Sequence, residues 1–324
     1  MITEEVHLLK RMYTLRDLKR AVSDPRVLAI EFNRVFHDGF RHRSPPYNQN
    51  GVDIPSADWD NLLILDACRY DTFKSHADDL PGKLTAVESR GSATRQFLNA
   101  NFSQRDMTDT VYVTANPNLY KAEMEKSGEG TIGVEFYKEV NVWRNGWHEE
   151  YRTVMPEKVT EATLEAAENH PNKRLLVHYL QPHAPYIGPT GIENFPTSYL
   201  NFWGKFQEGI VDVDMETVRK AYRENLELVL PYVKEVMERM EGKTIVTSDH
   251  GELFGERDSP IPIKRYGHPN MNTHIPELVT VPWLVSQNGE RRKIIAEEPI
   301  NQTTSHPEAG ESVEQRLEDL GYAQ

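Results

Sequence analysis

Apolar residues in this chain fall into short runs, separated by longer segments in which apolar positions recur at helical spacing. The strand candidates lie at residues 59–65, 83–87, 111–115, 175–179, 244–247 and 281–285. The first of these, WDNLLIL, is continuously apolar after Asn61. Such a run is typical of a strand that is buried on both faces of a parallel sheet.

The segments between the strands predict helices. One helix begins at Pro156, a residue that is favoured in the first helical turn, and continues to residue 168. A longer helix follows Asp214, a suitable N-cap, and ends at Gly242, with a kink expected at Pro231. Alternating strands and helices favour an α/β fold, a three-layer sandwich with a mostly parallel central sheet.

The same pattern divides the chain into three parts. Residues 1–55 carry apolar positions at helical spacing and predict an N-terminal helical arm that packs on the core or on a partner chain; a membrane-surface helix is the alternative. Residues 56–290 contain the strands, and residues 125–146 within them, rich in glycine and aromatic residues, predict an insertion or hairpin. Residues 291–324 predict a polar tail with a short helix.

Composition narrows the choice of function. The chain has 324 residues, a net charge of −13 and a pI near 5.4, and it offers no basic stripe, so we expect no nucleic-acid partner. Its single cysteine, Cys68, excludes an internal disulfide and favours a reducing compartment. We expect no signal peptide and no membrane span, because the N-terminus is charged and no apolar run approaches about 18 residues. The expected location is cytoplasmic.

Polar side chains follow four of the predicted strands at the point where each strand ends. Asp66 follows residues 59–65, and the Asp249–His250 pair follows residues 244–247. His183 and the small-residue turn 91–95 follow two others. Because the carboxyl ends of parallel strands meet at one edge of the sheet, these groups are expected to converge there. Carboxylates and imidazoles in one place suit a divalent cation. His178, inside its strand, is taken as a buried histidine, with a ligand role as the alternative.

Three segments, in this order, carry a family resemblance: LDACRYD at residues 65–71, TSDHGE at 247–252 and VPWLV at 281–285. They resemble the alkaline phosphatase and sulfatase superfamily, in particular sulfatase-like hydrolases and the phosphoglycerol and phosphoethanolamine transferases. The resemblance covers roughly residues 58–290. It implies an alkaline-phosphatase-like catalytic domain over residues 56–290.

The resemblance also assigns roles to individual residues. Asp66, Asp249 and His250 would bind one metal ion. Ser92 would be the nucleophile, by analogy with a Gly-x-Thr-Ser-x-x-x-Phe pattern, and Thr94 is the alternative. His183 and His268 would bind either a second metal ion or the non-bridging oxygens of the substrate. The guanidinium groups of Arg69 and Arg95 could hold the oxygens of a phosphoryl group.

The implied activity is metal-dependent hydrolysis of phosphate or sulfate monoesters or diesters, in class EC 3.1. The ion would be Zn²⁺, Mn²⁺ or Ca²⁺, with one ion expected and a second as the alternative. The turn 91–95 lacks the proline of the formylglycine motif of sulfatases, which favours phosphate esters. A phospho-alcohol transferase acting on glycans or lipids is one alternative, and an inactive protein that binds anionic glycans is another. The substrate would be a small-molecule or glycan ester, and homo-oligomerisation is left open.

Overall fold

The computed structural model describes residues 25–41, 47–124, 132–195, 202–207, 210–269 and 274–300. The helices are α1 (Pro25–Arg41), α2 (Tyr70–Lys74), α3 (Thr94–Phe102), α4 (Asn118–Met124), α5 (Val142–Asn145), α6 (Pro156–Asn169), α7 (Pro189–Asn194), α8 (Phe202–Gln207), α9 (Met215–Arg239) and α10 (Pro276–Val279), with a 3₁₀ turn at Ala77–Asp79. The strands are β1 (Asn61–Leu65), β2 (Lys83–Glu88), β3 (Asp106–Thr114), β4 (Glu135–Asn141), β5 (Trp147–His148), β6 (Thr153–Val154), β7 (Arg174–Tyr179), β8 (Gly242–Thr247), β9 (Leu253–Arg257), β10 (Lys264–Gly267) and β11 (Thr280–Asn288).

Seven of the described strands form the central sheet, in the order β2-β11-β8-β1-β7-β3-β4. The neighbours β8, β1, β7, β3 and β4 pair in parallel, whereas β11 runs antiparallel to both β2 and β8. Every strand candidate from the sequence lies in this sheet, and the predicted mostly parallel α/β architecture is confirmed. The carboxyl ends of β1, β2, β7 and β8 therefore lie at one edge.

Alternation along the buried strands separates two hydrophobic layers. On one face, Leu63, Leu65 and Val177 join α6 and α9 in one core cluster. On the other face, Leu62 and Ile64 join side chains of α3 and α4 in a second cluster. Continuous apolar strands are needed here because both faces of the sheet are covered by helices, which gives the predicted three layers.

Two details of the predicted elements are wrong. Residues 135–141, expected in an insertion or hairpin, form β4, which pairs in parallel with β3 at the end of the sheet order. The edge position leaves β4 mostly half-buried, so its sequence lacks the apolar run of a central strand. Gly242 does not stop the long helix, which runs through Pro231 and ends at Arg239; Gly242 instead opens β8 with φ +95° against Asp60.

The two terminal segments contact the α/β core where they are described. On α1, the Asn33 side chain donates to the carbonyl of Ile261 and accepts from its N–H. Residues 291–300 run along the opposite, amino edge of the sheet, where Arg291 pairs with Asp58. The short helix predicted near the C-terminus lies outside the described residues. Among the described helices, none combines the length and apolarity that crossing a membrane requires.

Candidate functional site

The predicted ligands converge at the carboxyl edge of the sheet. Asp66 follows β1, Asp249 and His250 follow β8, and Thr94 opens α3 after β2. The Nε2 atom of His250 lies 3.3 Å from Asp249 Oδ2, 3.3 Å from Thr94 Oγ1 and 3.7 Å from Asp66 Oδ1. All four residues are at most 1% exposed. We refer to Asp66, Thr94, Asp249 and His250 as the inner cluster.

The spacing of the inner cluster fits a tetrahedral metal ion. Four ligands at about 2.0 Å from a central ion lie about 3.3 Å apart along the edges of the tetrahedron. The separations of 3.3–3.7 Å from His250 Nε2 to the other three ligand atoms are close to three of the six edges of such a tetrahedron. Within the described residues, the buried Oδ2 atom of Asp249 has no hydrogen-bond partner. An unsatisfied buried carboxylate oxygen is costly, and a cation at this point would satisfy it.

Hydrogen bonds between the two strand-end turns fix the inner cluster. The Oδ1 atom of Asp249 accepts from the N–H groups of Ala67 (3.1 Å) and His250 (2.9 Å). The Ser248 hydroxyl contacts the carbonyl of Leu65 at 2.6 Å and accepts from the N–H of Cys68 at 2.8 Å. Because β1 and β8 pair in register, these bonds hold the two turns at a fixed separation.

Burial and mutual charge set the protonation of the inner cluster. Burial and the neighbouring charge of Asp66 raise the pKa of Asp249 to about 6. Burial alone would raise the pKa of Asp66. The hydrogen bond with His178 and the electrostatic effects of His183, His178 and His250 outweigh burial and hold the pKa of Asp66 below its usual range. Burial, together with the charge of His268, lowers the pKa of His250 to about 3. His250 is therefore a neutral imidazole, the form that binds a metal ion.

In the turn between β2 and α3, the Thr94 hydroxyl contacts His250, whereas the Ser92 hydroxyl contacts Gln96. Gly91 is required there, because a Cβ atom at this position would lie 2.4 Å from the N–H nitrogen of Phe97. The hydroxyl and the N–H of Ser92 both donate to Oε1 of Gln96, at 2.9 and 2.8 Å. Thr94 is the first residue of α3, where free N–H groups and the helix dipole favour an anion.

Two buried residues support the carboxylates of the inner cluster and were not among the predicted site residues. Asn116, just after β3, donates from Nδ2 to Asp66 Oδ2 at 2.6 Å. The Nε2 atom of His178 lies 3.5 Å from that same oxygen and 3.9 Å from Asp249 Oδ2, while Nδ1 lies 3.1 Å from Tyr112 Oη. Asp66, His178 and Asp249 together offer ligand atoms within 4.8 Å of one another. Asn116 follows the end of a strand, as Asp66 does, and this position is the sequence signal from which its place in the site could have been predicted.

A second group of ligand-competent side chains lies beside the inner cluster. His183, Glu252 and His268 each offer one ligand atom, all within 4.8 Å of one another. We refer to these three residues as the outer cluster. The imidazole rings of His250 and His268 contact each other with centroids 4.6 Å apart and planes tilted by 39°, which joins the two clusters. Glu252 belongs to the TSDHGE segment but is not among the predicted site residues.

Glu252 controls the charge of the outer cluster. Its Oε1 atom lies 3.0 Å from His268 Nδ1. Burial lowers the pKa of His268, but the Glu252 carboxylate outweighs burial and the pKa is raised. The His183 Nδ1 atom contacts the carbonyl of Ala184 at 2.5 Å. The Nε2 atom, on the other edge of the same ring, therefore points away from that carbonyl. The outer cluster thus places next to the inner cluster an imidazole whose protonated form is favoured by Glu252.

The two predicted arginines differ in position. Arg69 is 6% exposed, and its Nε and Nη2 atoms donate to both carboxylate oxygens of Asp71, at 2.9 and 2.6 Å. Its Nη1 atom donates to the carbonyl of Glu252 at 3.0 Å and to Glu256 at 2.6 Å. Arg69 thus connects the turn after β1 with the segment after β8. Arg95 lies half-buried on the first turn of α3.

Solved structures similar to this chain include phosphoethanolamine transferase domains. The soluble domain of lipooligosaccharide phosphoethanolamine transferase A from Neisseria meningitidis matches 74% of this chain and 80% of its own, at 15% identity and a TM-score of 0.45. The C-terminal periplasmic domain of phosphoethanolamine transferase EptC from Campylobacter jejuni matches 70% and 78%, at 17% identity and a TM-score of 0.44. The corresponding Escherichia coli EptC domain, in a complex with Zn, matches 73% and 75%, at 15% identity and a TM-score of 0.38.

No protein-family model and no curated protein sequence matches this chain. With identities of at most 17% and TM-scores below 0.5, these similarities carry no argument about activity, and the chemistry has to be argued from the site itself.

Proposed function

We propose that this protein is a metal-dependent phosphoester enzyme with Thr94 as its nucleophile. The observation that carries the proposal is the position of the Thr94 hydroxyl, 3.3 Å from His250 Nε2 at the first residue of a helix. A hydroxyl needs activation to act as a nucleophile at neutral pH, and a phosphoryl group needs a site that favours negative charge. The inner cluster and the start of α3 supply both conditions. This preference for Thr94 reverses the order that the sequence suggested.

Asp66, Asp249, His250 and Thr94 would hold the ion. A divalent cation at this place would lower the pKa of the Thr94 hydroxyl and stabilise negative charge on the substrate. The mixed oxygen and nitrogen ligands favour Zn²⁺ or Mn²⁺ over Ca²⁺, which prefers oxygen ligands alone. We propose one tightly held ion, and the outer cluster as the place for a second ion if one binds.

The outer cluster would bind the transferred group. Glu252 favours the protonated form of His268, which would donate an N–H to a non-bridging oxygen of the substrate. His183 lies against it, with ring centroids 4.9 Å apart, and would contact the same group. Arg69 is tied to Asp71 and Glu256, so we assign it a supporting role and not a substrate contact. Arg95 remains a candidate contact on α3.

The reaction would proceed in two steps. The Thr94 hydroxyl loses its proton and its oxygen bonds to phosphorus, while the bond from phosphorus to the leaving oxygen breaks and the departing alcohol takes up a proton. Water in a hydrolase, or an alcohol in a transferase, then attacks the phosphothreonine; it loses a proton as the bond between phosphorus and Thr94 Oγ1 breaks, and Oγ1 takes up a proton again. We propose a phosphate rather than a sulfate ester, because the turn 91–95 lacks the proline of the formylglycine motif. A small molecule or a glycan ester is the expected substrate.

We also propose that the protein is located in the cytoplasm. This proposal rests on the single cysteine, Cys68, which is buried and unpaired. Fractionation of cells that produce the full chain tests it, and recovery outside the cytoplasmic fraction would overturn it.

The nucleophile is tested by three variants assayed with an aryl phosphate and an aryl sulfate after addition of Zn²⁺ or Mn²⁺. Thr94→Ala should lower kcat on the aryl phosphate at least about 10³-fold, whereas Thr94→Ser should retain measurable turnover because it keeps a hydroxyl. Ser92→Ala is the matched control and should stay near wild type. A covalent intermediate that is trapped during turnover of the aryl phosphate should carry the phosphoryl group on Thr94. Loss of turnover in Ser92→Ala alone would restore Ser92 as the nucleophile, and a metal-binding but inert wild type would favour the glycan-binding alternative.

A further inference from the structure

Two side chains of helix α9, about one helical turn apart, contact the turn that carries Asp66 and the loop that carries His183. We propose that Tyr222 and Asn225 of α9 are positioning residues, Tyr222 for the turn that carries Asp66 and Asn225 for the loop that carries His183. The inference rests on the proposed function, since it assigns separate duties to the inner and outer clusters. Both side chains are at most 1% exposed.

Tyr222 bridges the two ends of the turn after β1. Its hydroxyl donates to the carbonyl of Ala67 at 2.7 Å and accepts from the N–H of Arg69 at 2.8 Å. Ala67 has φ 58°, a left-handed conformation that costs energy in a residue with a Cβ atom. The buried turn therefore depends on contacts from outside itself, and the Tyr222 hydroxyl supplies two of them. The backbone of Asp66, one residue earlier, is held by the same turn.

Asn225 binds the loop between β7 and α7 with both ends of its amide. Its Oδ1 atom accepts from the N–H groups of Ile187 at 2.8 Å and Gly188 at 3.3 Å. Its Nδ2 atom donates to the carbonyls of His183 at 3.2 Å and Pro185 at 2.9 Å. One side chain thus satisfies backbone groups on both sides of the loop.

The composition of this loop explains why it needs such a partner. Residues 182–188 include two prolines, which have no N–H group, so the loop has few donors with which to satisfy its own buried carbonyls. Unpaired carbonyls in a buried segment are costly, and an asparagine side chain supplies both a donor and an acceptor. The adjacent Glu224 extends the attachment, because its carboxylate accepts from the N–H and the hydroxyl of Thr190 in α7 at 2.6 Å each.

The two attachments should be separable by experiment, because each serves a different cluster. Loosening the turn at Asp66 should weaken binding of the ion, as loss of outer-shell partners typically does by 10- to 100-fold. Loosening the loop at His183 should leave the ion in place and misplace a substrate contact, and a shift of about 1 Å can cost roughly 10² in rate.

The experiment uses the full chain and the variants Tyr222→Phe and Asn225→Leu, with Val233→Ala as the control. Val233 is a buried core residue on the same helix, two turns beyond Asn225, so its truncation should lower the melting temperature without touching either loop. The measurements are the Kd for Zn²⁺ from competition with a chelating dye, kcat and KM on an aryl phosphate, and hydrogen exchange at the amides of Ile187 and Gly188.

Tyr222→Phe should raise the Kd for Zn²⁺ about tenfold. Asn225→Leu should leave that Kd within about twofold, lower kcat roughly 10²-fold with a smaller change in KM, and speed exchange of the two amides. Val233→Ala should lower the melting temperature only. If Asn225→Leu does not fold, Asn225→Asp, which keeps the size and the Oδ1 acceptor, should show the same split in weaker form.

Equal changes of Kd and kcat in both variants, or effects no larger than those of Val233→Ala, would overturn the assignment. An inert wild type would overturn the proposed function instead. The zinc affinity of Tyr222→Phe and the amide exchange of Asn225→Leu would then still decide whether the two attachments exist, because neither measurement requires turnover.

Discussion

The inner and outer clusters are adjacent but are built differently. Asp66, Asp249 and His250 follow directly on the paired strands β1 and β8 and are completely buried, so the register of the sheet sets their separations. His183 lies four residues beyond β7, and His268 follows β10, which pairs with β9 in a separate two-stranded sheet; the His268 side chain is 14% exposed. The positions of these two histidines depend on contacts from Asn225, Glu252 and Arg69. The proposed metal site is thus set by the central sheet, whereas the proposed substrate site is set by contacts between loops.

This difference predicts that variants in the two clusters will change different quantities. The inner cluster should control the affinity for the ion, because it supplies the ligands. The outer cluster should control the rate of the chemical step, because it would contact groups on which charge develops. Variants that change the affinity for the ion and the rate together would contradict this division, and variants that change only one of the two would support it.

The largest effect is expected for Asp249→Asn. Removing a ligand charge should weaken ion binding by more than the 10- to 100-fold that loss of an outer-shell partner costs. Asparagine keeps an oxygen for the N–H groups of Ala67 and His250, so the turn should persist. Burial and the charge of Asp66 raise the pKa of Asp249, so the metal-free variant should melt no lower than wild type at pH 8.

Thermal unfolding with and without Zn²⁺ checks this prediction. A ligand that binds the native state raises the melting temperature, and that rise should disappear in Asp249→Asn. A wild-type-sized rise in the variant would place the ion elsewhere, with the outer cluster as the first place to look.

A smaller effect, confined to turnover, is expected for His268→Gln. Loss of the His268 imidazole, whose pKa Glu252 raises, should lower kcat roughly 10²-fold, the cost of one donor to a developing oxyanion. The Kd for Zn²⁺ should stay within about twofold. His76, which pairs with Glu227 at 3.2 Å on the surface, provides a matched histidine–glutamate control, and His76→Gln should change neither quantity. A large increase in Kd for His268→Gln would make this residue a metal ligand instead.

The comparison also explains how much could be predicted from the sequence. The residues of the inner cluster follow apolar strands directly, and strand ends in a parallel sheet converge by topology, so Asp66, Asp249 and His250 could be placed together. The central strands could be recognised because both their faces are buried. The strand β4 could not, because the residues of this edge strand are mostly half-buried and include the adjacent charges Lys138 and Glu139.

The contacts within the loops could not be predicted in the same way. Ser92 and Thr94 are two residues apart, and the contact of Thr94 Oγ1 with His250 Nε2 at 3.3 Å depends on the path of the turn that carries both hydroxyls. Asn116 and Asn225 act through single amide groups, from positions far along the chain. Such bonds depend on side-chain rotamers and loop paths, which leave no periodic signal in a sequence.

The smallest effect is expected for Arg69→Lys, which tests the connection between the two clusters. An ammonium group cannot reproduce the guanidinium fork that binds Asp71, Glu256 and the carbonyl of Glu252. The segment carrying Glu252 should loosen, and kcat should fall by less than in His268→Gln, to roughly a tenth of wild type. Because the inner ligands keep their own bonds, the Kd for Zn²⁺ should hardly change. Asp71 is the control: its side chain is 62% exposed, so Asp71→Asn should cost little. Steady-state kinetics with an aryl phosphate distinguish this role from the substrate clamp that the sequence suggested, because a lost clamp would raise KM, whereas a loosened support lowers kcat.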